Sequence, residues 1–285
     1  MALKLLTTTD EASRYSAQLR DSGFAVGLIP TMGALHEGHL SLVRLAQRVA
    51  DRVIVSIFVN PIQFGAGEDL EKYPRDLERD LDLLRKEGVR VVFHPNVEDM
   101  YVEGFATAVR VEGSLTRVLC GARRPGHFNG VATVVTKLFT ILRPHLAVFG
   151  QKDYQQLLVI RRLVEDLNLG VKIISAPIMR EDDGLAMSSR NRFLSSDERQ
   201  QAKELNAALR RVRERFESGE RSAAALAKAG TDYLALLAPH CRLDYFEVRH
   251  PENLESLDRV EEAGAVVAVA GWLGTTRLID NILLP

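Results

Sequence analysis

The run AVGLIPTMGALHEGH (residues 25–39) begins apolar and unbroken, turns at Pro30 and Gly33, and passes into LSLVRLAQRV (residues 40–49). An apolar run without polar alternation suits a strand covered on both faces, as in a parallel sheet. In the second part Leu42, Leu45, Ala46 and Val49 fall at i, i+3, i+4 and i+7, the spacing of one apolar helix face. The reading is therefore strand, tight turn, helix. The same grammar repeats outward. Residues 52–60, 89–94, 146–150 and 171–176 are further strand-like runs. Between them Leu77, Leu81 and Leu84 mark a helix stopped by Gly88, residues 131–142 form one that stops before Pro144, and residues 155–167 form one that stops near Gly170. Strands and helices alternating in this way build βαβ units, so the expected fold is α/β with a doubly wound parallel sheet.

Beyond about residue 180 the texture changes. Ser195-x-x-Glu198 is a capping box that opens a charged helix running to about Glu217. Gly219 breaks it, and a second helix is expected over residues 223–237. Three strand-like runs follow, residues 242–249, 265–272 and 275–283, the last two joined as a hairpin at Leu273-Gly274. The expected organisation is a nucleotide-binding α/β domain over residues 1–178 and a smaller α+β domain over residues 179–285, joined at Pro177 without a low-complexity linker.

Bulk properties narrow the function classes. The 285 residues are 46% hydrophobic and 26% charged, with a formal net charge of -1. Nucleic-acid-binding domains usually carry a basic excess, so no nucleic-acid partner is expected. The two cysteines, Cys120 and Cys241, form no C-x-x-C pair, which argues against a disulfide framework or a zinc ribbon and suits a reducing, cytoplasmic setting. No apolar stretch approaches the length of a membrane span, and residues 1–10 lack the marks of a secretion signal.

Three clusters carry chemistry. The first is the turn Met32, Gly33, Ala34, Leu35, His36, Glu37, Gly38, His39. Backbone N–H groups at a helix start bind phosphate, and glycine lets a ligand approach the chain. His36 and His39 are three apart, so both imidazoles face one side, placed to hold charge growing on a phosphate. No G-x-x-x-x-G-K-[ST] sequence is present, so this is not a P-loop. The second cluster is Gly150, Gln151, Lys152 and Asp153, just past a strand end, where open α/β sheets bind ligands. Lys152 offers charge to phosphates and Asp153 an acceptor for ribose hydroxyls. The third runs from Asp182 to Asn191 and contains Ser188, Ser189 and Arg190, a compact phosphate grip. Gln63 and Gln156, each close behind a strand end, could read hydroxyls and carboxylates.

The ordered set PTMGALHEGH, SIFVNPIQF, YPRDLERD, RPGHFNGVATVV, FGQKDYQQL, DGLAMSSRN and WLGTTRLIDN resembles the pantothenate synthetase (pantoate–β-alanine ligase) family over nearly the whole chain, most weakly over residues 200–240. The resemblance implies a Rossmann-like fold and an AMP-forming ligase that makes pantoyl-adenylate from ATP and pantoate, then passes the acyl group to β-alanine. It implies Mg2+ with ATP and a homodimer. Carried onto this chain, it makes His39 the proton donor, His36 and Lys152 phosphate partners, and Gly150–Asp153 a ribose and phosphate contact. Met179 would touch adenine through its backbone, and Met187, Ser188, Ser189 and Arg190 would close over the triphosphate. Gln63 and Gln156 would hold pantoate, and Gln63 also β-alanine. Cys120 stands where some relatives carry an acidic residue and receives no role. Asp80 is a candidate metal ligand, but magnesium often rides mainly on substrate phosphates and water, so no metal ligand is assigned. The rival readings are an H-x-G-H nucleotidyltransferase, which needs no amine acceptor, and a nucleotide sensor, which releases no pyrophosphate.

Overall fold

The computed structural model describes residues 3–65 and 67–285. The chain forms two compact units. The first takes the chain up to Thr116, Cys120–Gln151 and Gln155–Pro177; the second takes Arg117–Leu119, Lys152–Tyr154 and Ile178–Pro285.

Up to residue 176 the elements run β1 (Lys4–Leu6), α1 (Thr9–Asp21), β2 (Val26–Thr31), α2 (Glu37–Gln47), β3 (Arg52–Ile57), a 3-10 turn at Pro61–Gln63, α3 (Leu77–Lys86), β4 (Val91–Phe93), α4 (Val97–Met100), α5 (Ser114–Arg117), α6 (Leu119–Arg123), α7 (His127–Leu142), β5 (Leu146–Gly150), α8 (Tyr154–Asp166) and β6 (Lys172–Ala176). Six strands pair in the order β1-β4-β3-β2-β5-β6, every neighbour parallel. This is the doubly wound sheet expected from the alternation. Starting at β2, the chain builds outward through β3 and β4 on one side, then returns to lay β5 and β6 on the other. The order therefore reverses between β2 and β5, and such reversals open a crevice at the carboxyl ends of the strands. Ile29, Val55, Val92 and Val148 are wholly buried together with Ala46 and Leu84. Each such aliphatic side chain contributes about 1.5–3 kcal/mol by leaving water, which holds helices and sheet together.

Several boundaries differ from the sequence reading for identifiable reasons. β1 is only three residues long, too short for a pattern. Helix α1 has a full capping box, Thr8 with Glu11, but buries only Ala12 and Ser16, so it lacks an apolar stripe. Helix α2 ends at Gln47, and Val49 is half-exposed beyond it. Strand β3 stops at Ile57 rather than Asn60, because Pro61 starts the 3-10 turn. Helix α7 starts at His127, four residues before the apolar run at Val131, after Gly126 turns the chain in the left-handed region.

The second unit contains a 3-10 turn at Ser189–Phe193, α9 (Ser196–Ala202), α10 (Glu204–Glu217), α11 (Ala223–Leu237), β7 (Arg242–Arg249), β8 (Ala265–Leu273) and β9 (Thr276–Leu284). The capping box at Ser195 and Glu198 is present, but the charged helix divides at Lys203. The strands form an antiparallel sheet in the order β7-β8-β9, with the hairpin turning at Gly274. Leu205, Leu209, Val212 and Leu226 pack with Val267 and Val269 in its core. No helix among the described residues is long and apolar enough to cross a membrane.

Candidate active site

The turn between β2 and α2 is built around a buried carboxylate. Gly33 and Ala34 both have positive φ, 81° and 50°. In the turn they form, the N–H groups of Ala34 and Leu35 face one point, where an anionic group can sit. Here Asp80 of α3 fills it. Ala34 N–H donates to Asp80 Oδ2 and Leu35 N–H to Oδ1, both at 2.8 Å. Burial pushes the Asp80 carboxyl above its ordinary range, while the two backbone N–H bonds pull the other way. Gly33 could not be replaced freely, since a Cβ there would stand 3.0 Å from Asp80 Oδ2 at a φ that side chains avoid. The N–H groups of Ala34 and Leu35, which the sequence offered to phosphate, are thus committed inside the protein.

The histidines that follow are organised by the helix start itself. Gly38 N–H donates to Nδ1 of His36 at 3.1 Å, and His36 N–H donates to Nδ1 of His39 at 3.3 Å. The two side chains form a reciprocal capping box of imidazoles, with ring centroids 4.1 Å apart. A ring nitrogen that accepts carries no proton, so while these bonds hold, the ring hydrogen is carried by Nε2. Two Nε2–H donors are presented side by side at a helix N-terminus, on the strand that flanks the sheet's reversal point. Glu37 is paired with Arg44 along α2, so its carboxylate is turned to that partner.

Gln63 is held from four directions. Its carbonyl accepts from His127 Nδ1 at 2.9 Å, its Oε1 accepts from Asn60 Nδ2 at 3.1 Å, and its Nε2 donates to Met32 Sδ at 3.2 Å. Gly130 of α7 meets it backbone to backbone; a Cβ at that position would come within 2.5 Å of Gln63 Cα. Asn60 in turn donates to Gly130 O at 3.1 Å and accepts from the Tyr101 hydroxyl at 2.7 Å. A cleft of about 340 Å3 beyond the ends of β2, β3 and β4 is lined by Met32, Gly33, Phe58, Asp80 and His94, among others. Gln156 is half-buried in the first turn of α8. Its neighbour Gln155 is buried and structural, accepting from Cys120 N–H and donating to Leu115 O. Cys120 is thereby placed as a backbone contact of Gln155.

In the second unit, Met179 to Met187 fold back on themselves. Met187 N–H donates to Met179 O at 3.0 Å, Glu181 N–H to Leu185 O at 2.8 Å, and Arg180 bridges Ala186. Arg180 makes a two-pronged pair with Asp280 at 2.6 and 3.0 Å. Asp280 is 3% exposed; its burial raises its carboxyl, and Arg180 and Lys152 oppose the shift. Next to it, Asn281 Nδ2 donates to Lys152 O at 3.0 Å. Strand β9 therefore fixes both the Arg180 hairpin and the Lys152 segment. Ser188 caps the turn that carries Ser189 and Arg190, and Asn191 ties that turn to Glu181, which pairs with Arg199. Gly150 closes β5, and Gln151 to Asp153 form the short turn after it.

Among the described residues no group of three His, Cys, Asp or Glu side chains is placed to hold a metal. Sequence reasoning missed Tyr101, Asn60, His127, Asp280 and Asn281. All but Tyr101 lie inside the quoted motifs, yet their partners are distant in sequence and spacing alone does not reveal them.

The comparisons with known proteins agree with this architecture. Residues 4–283 match the family model described as pantoate-beta-alanine ligase. A pantothenate synthetase from Carboxydothermus hydrogenoformans is 53% identical over 282 residues, covering 99% of each chain. The crystal structure of pantothenate synthetase from Thermus thermophilus superposes with a TM-score of 0.91 at 48% identity, covering 98% of this chain and 99% of that one. A pantoate-beta-alanine ligase from Francisella tularensis, complexed with beta-gamma ATP and beta-alanine, gives 0.82 at 33% identity, covering 99% and 98%.

Proposed function

The chain belongs to the pantoate–β-alanine ligase family, and from that membership we propose the reaction it performs: ATP-dependent condensation of pantoate with β-alanine to pantothenate, with release of AMP and pyrophosphate. In the first step a pantoate carboxylate oxygen attacks the α-phosphorus, the new O–P bond forming as the bond to pyrophosphate breaks. In the second the amine of β-alanine attacks the acyl carbon, AMP leaves with the bonding pair, and the nitrogen gives up a proton. The observation that carries the reading is the imidazole pair, whose Nε2–H groups are the donors that charge developing on a phosphate requires.

The roles follow residue by residue. His39 acts as proton donor and His36 as phosphate partner. Met32, Gly33, Ala34, Leu35, Glu37 and Gly38 shape the ATP contact around them. Lys152 lies on the phosphates, with Gly150, Gln151 and Asp153 toward the ribose. Met179 meets adenine, and Met187, Ser188, Ser189 and Arg190 bind the triphosphate. Gln63 and Gln156 read pantoate, and Gln63 also β-alanine. Asp80 has both oxygens on backbone N–H groups, so the donor set suits magnesium that rides on triphosphate oxygens and water, where it would neutralise phosphate charge. The reading extends, on family membership, to a cytoplasmic homodimer. The nucleotidyltransferase alternative is not favoured, because the family match spans residues 4–283.

The test is a product assay with ATP, pantoate and β-alanine, omitting each in turn. Pantothenate and AMP should appear only in the complete mixture. A nucleotidylated product formed without an amine acceptor would sink the proposal.

A further inference from the structure

We infer that Asn60, anchored by Gly130 O and steadied by the Tyr101 hydroxyl, sets which end of the Gln63 amide faces the acid substrate and makes Gln63 a hydrogen-bond donor there. The inference rests on the reading of Gln63 as a contact of the acid. The two ends of an amide have nearly the same shape, but here the neighbours assign them. The anchor is Gly130 O, a backbone carbonyl that can only accept. The Asn60 atom 3.1 Å from it must therefore be the NH2 end. Oδ1 of Asn60 then lies on the other side, 2.7 Å from the Tyr101 hydroxyl, which must donate. The second hydrogen on Asn60 Nδ2 points to Gln63 at 3.1 Å, so the Gln63 atom facing it is Oε1. The remaining end of Gln63 is the NH2, which lies 3.2 Å from Met32 Sδ.

A thioether is a weak acceptor, and a substrate oxygen would outcompete it. Gln63 therefore selects an acceptor oxygen, carboxylate or hydroxyl, and disfavours an ammonium group. Gly130 O and the Tyr101 hydroxyl hold Asn60 from opposite sides, and Asn60 is 1% exposed and Gln63 9%, so a flipped Asn60 would bury its oxygen against Gly130 O. The Tyr101 ring is fixed beside Phe105 and Phe58, with centroids 5.0 and 6.1 Å away. Its burial pushes the phenol up, so it keeps its proton across the working range.

Tyr101→Phe removes one hydroxyl and keeps the ring. It should lower kcat/KM for pantoate about tenfold, a common cost of an unmet buried acceptor, while the KM for ATP changes by less than about twofold. In a Gln63→Ala background the same substitution should change kcat/KM by less than about twofold, because a relay that acts through Gln63 has nothing left to orient. Asn60→Asp removes the donor and should cost on the order of 100-fold, since a carboxylate would face both Gly130 O and Gln63 Oε1. Loss in Gln63→Ala together with wild-type kinetics in Tyr101→Phe would overturn the relay and leave the Gln63 contact standing. Equal losses from Tyr101→Phe with and without Gln63 would also overturn it, showing that the tyrosine acts elsewhere. Unchanged pantoate kinetics in Gln63→Ala would remove the Gln63 contact, and the relay with it.

Discussion

Asp80 spends both carboxylate oxygens on the N–H groups of Ala34 and Leu35, and the consequence is mechanical rather than chemical. Two consecutive left-handed residues hold the chain where His36 must begin α2. An uncompensated left-handed Ala34 is unfavourable on its own, and the buried carboxylate offsets that strain with two charge-assisted bonds. Asp80→Asn leaves one acceptor and turns an NH2 toward a backbone N–H. We expect it to lower stability by about 1–3 kcal/mol in urea unfolding and to raise the KM for ATP several-fold, as the imidazole pair loses its footing. Wild-type stability and KM would show that the turn is held by other contacts. At this scale the sequence was legible in part. His36 and His39 announce themselves by spacing and by their place after the first strand. Asp80 does not, because its partners lie 45 and 46 positions away and only the fold brings them together. The sequence suggested a metal ligand there; the geometry makes it a backbone ligand.

Among the elements, α7 does the most to place Gln63. The helix presses on the Pro61–Gln63 turn through Gly130, where a Cβ would meet Ile62 O at 2.4 Å, Gln63 Cα at 2.5 Å and Gln63 N at 2.6 Å. These are backbone atoms and cannot rotate away. Gly130→Ala must therefore push the turn off the helix. We expect a loss of about 1–3 kcal/mol, the usual cost of overpacking, together with a raised KM for pantoate. Thermal melting and steady-state kinetics on the same preparation would show both effects. A variant with unchanged pantoate KM would mean that Gln63 tolerates the shift. The sequence marked the helix from Val131 onward by its apolar run, and so missed the turn of helix that carries His127 and Gly130. Those residues contact another element instead of supplying periodicity. Helix α1 was missed for the related reason that most of its surface faces solvent, although its capping box was there to be seen. The split at Lys203 was likewise invisible, since the residues on both sides continue to favour helix.

For the whole molecule, the order of strands explains why the motifs are scattered along the chain yet chemically related. The first imidazole turn follows β2, and Gly150 ends β5, the two strands that flank the sheet's reversal. That arrangement was readable from alternating strand and helix signals, whereas the place of β1 at the sheet edge was not, because three residues carry no period. The family's reaction asks two things of such a site: to activate the acid, and to hold the adenylate until an amine arrives. On the proposed roles, the donors built into the structure serve the first task without the amine. The imidazole pair is assembled by the backbone of α2 itself, and Gln63 is held at its side-chain amide by Asn60 and at its backbone by His127 and Gly130. None of these contacts involves a group that β-alanine would have to supply. Adenylate formation should therefore proceed and reverse in its absence. With ATP, magnesium and pantoate present, labelled pyrophosphate should exchange into ATP, and omission of pantoate should abolish the exchange. His39→Ala should slow it by roughly 10²–10⁴-fold, the range expected for a group that assists proton transfer in the transition state. Strict dependence of the exchange on β-alanine would contradict the stepwise mechanism and favour a concerted transfer in which no free-standing adenylate is held.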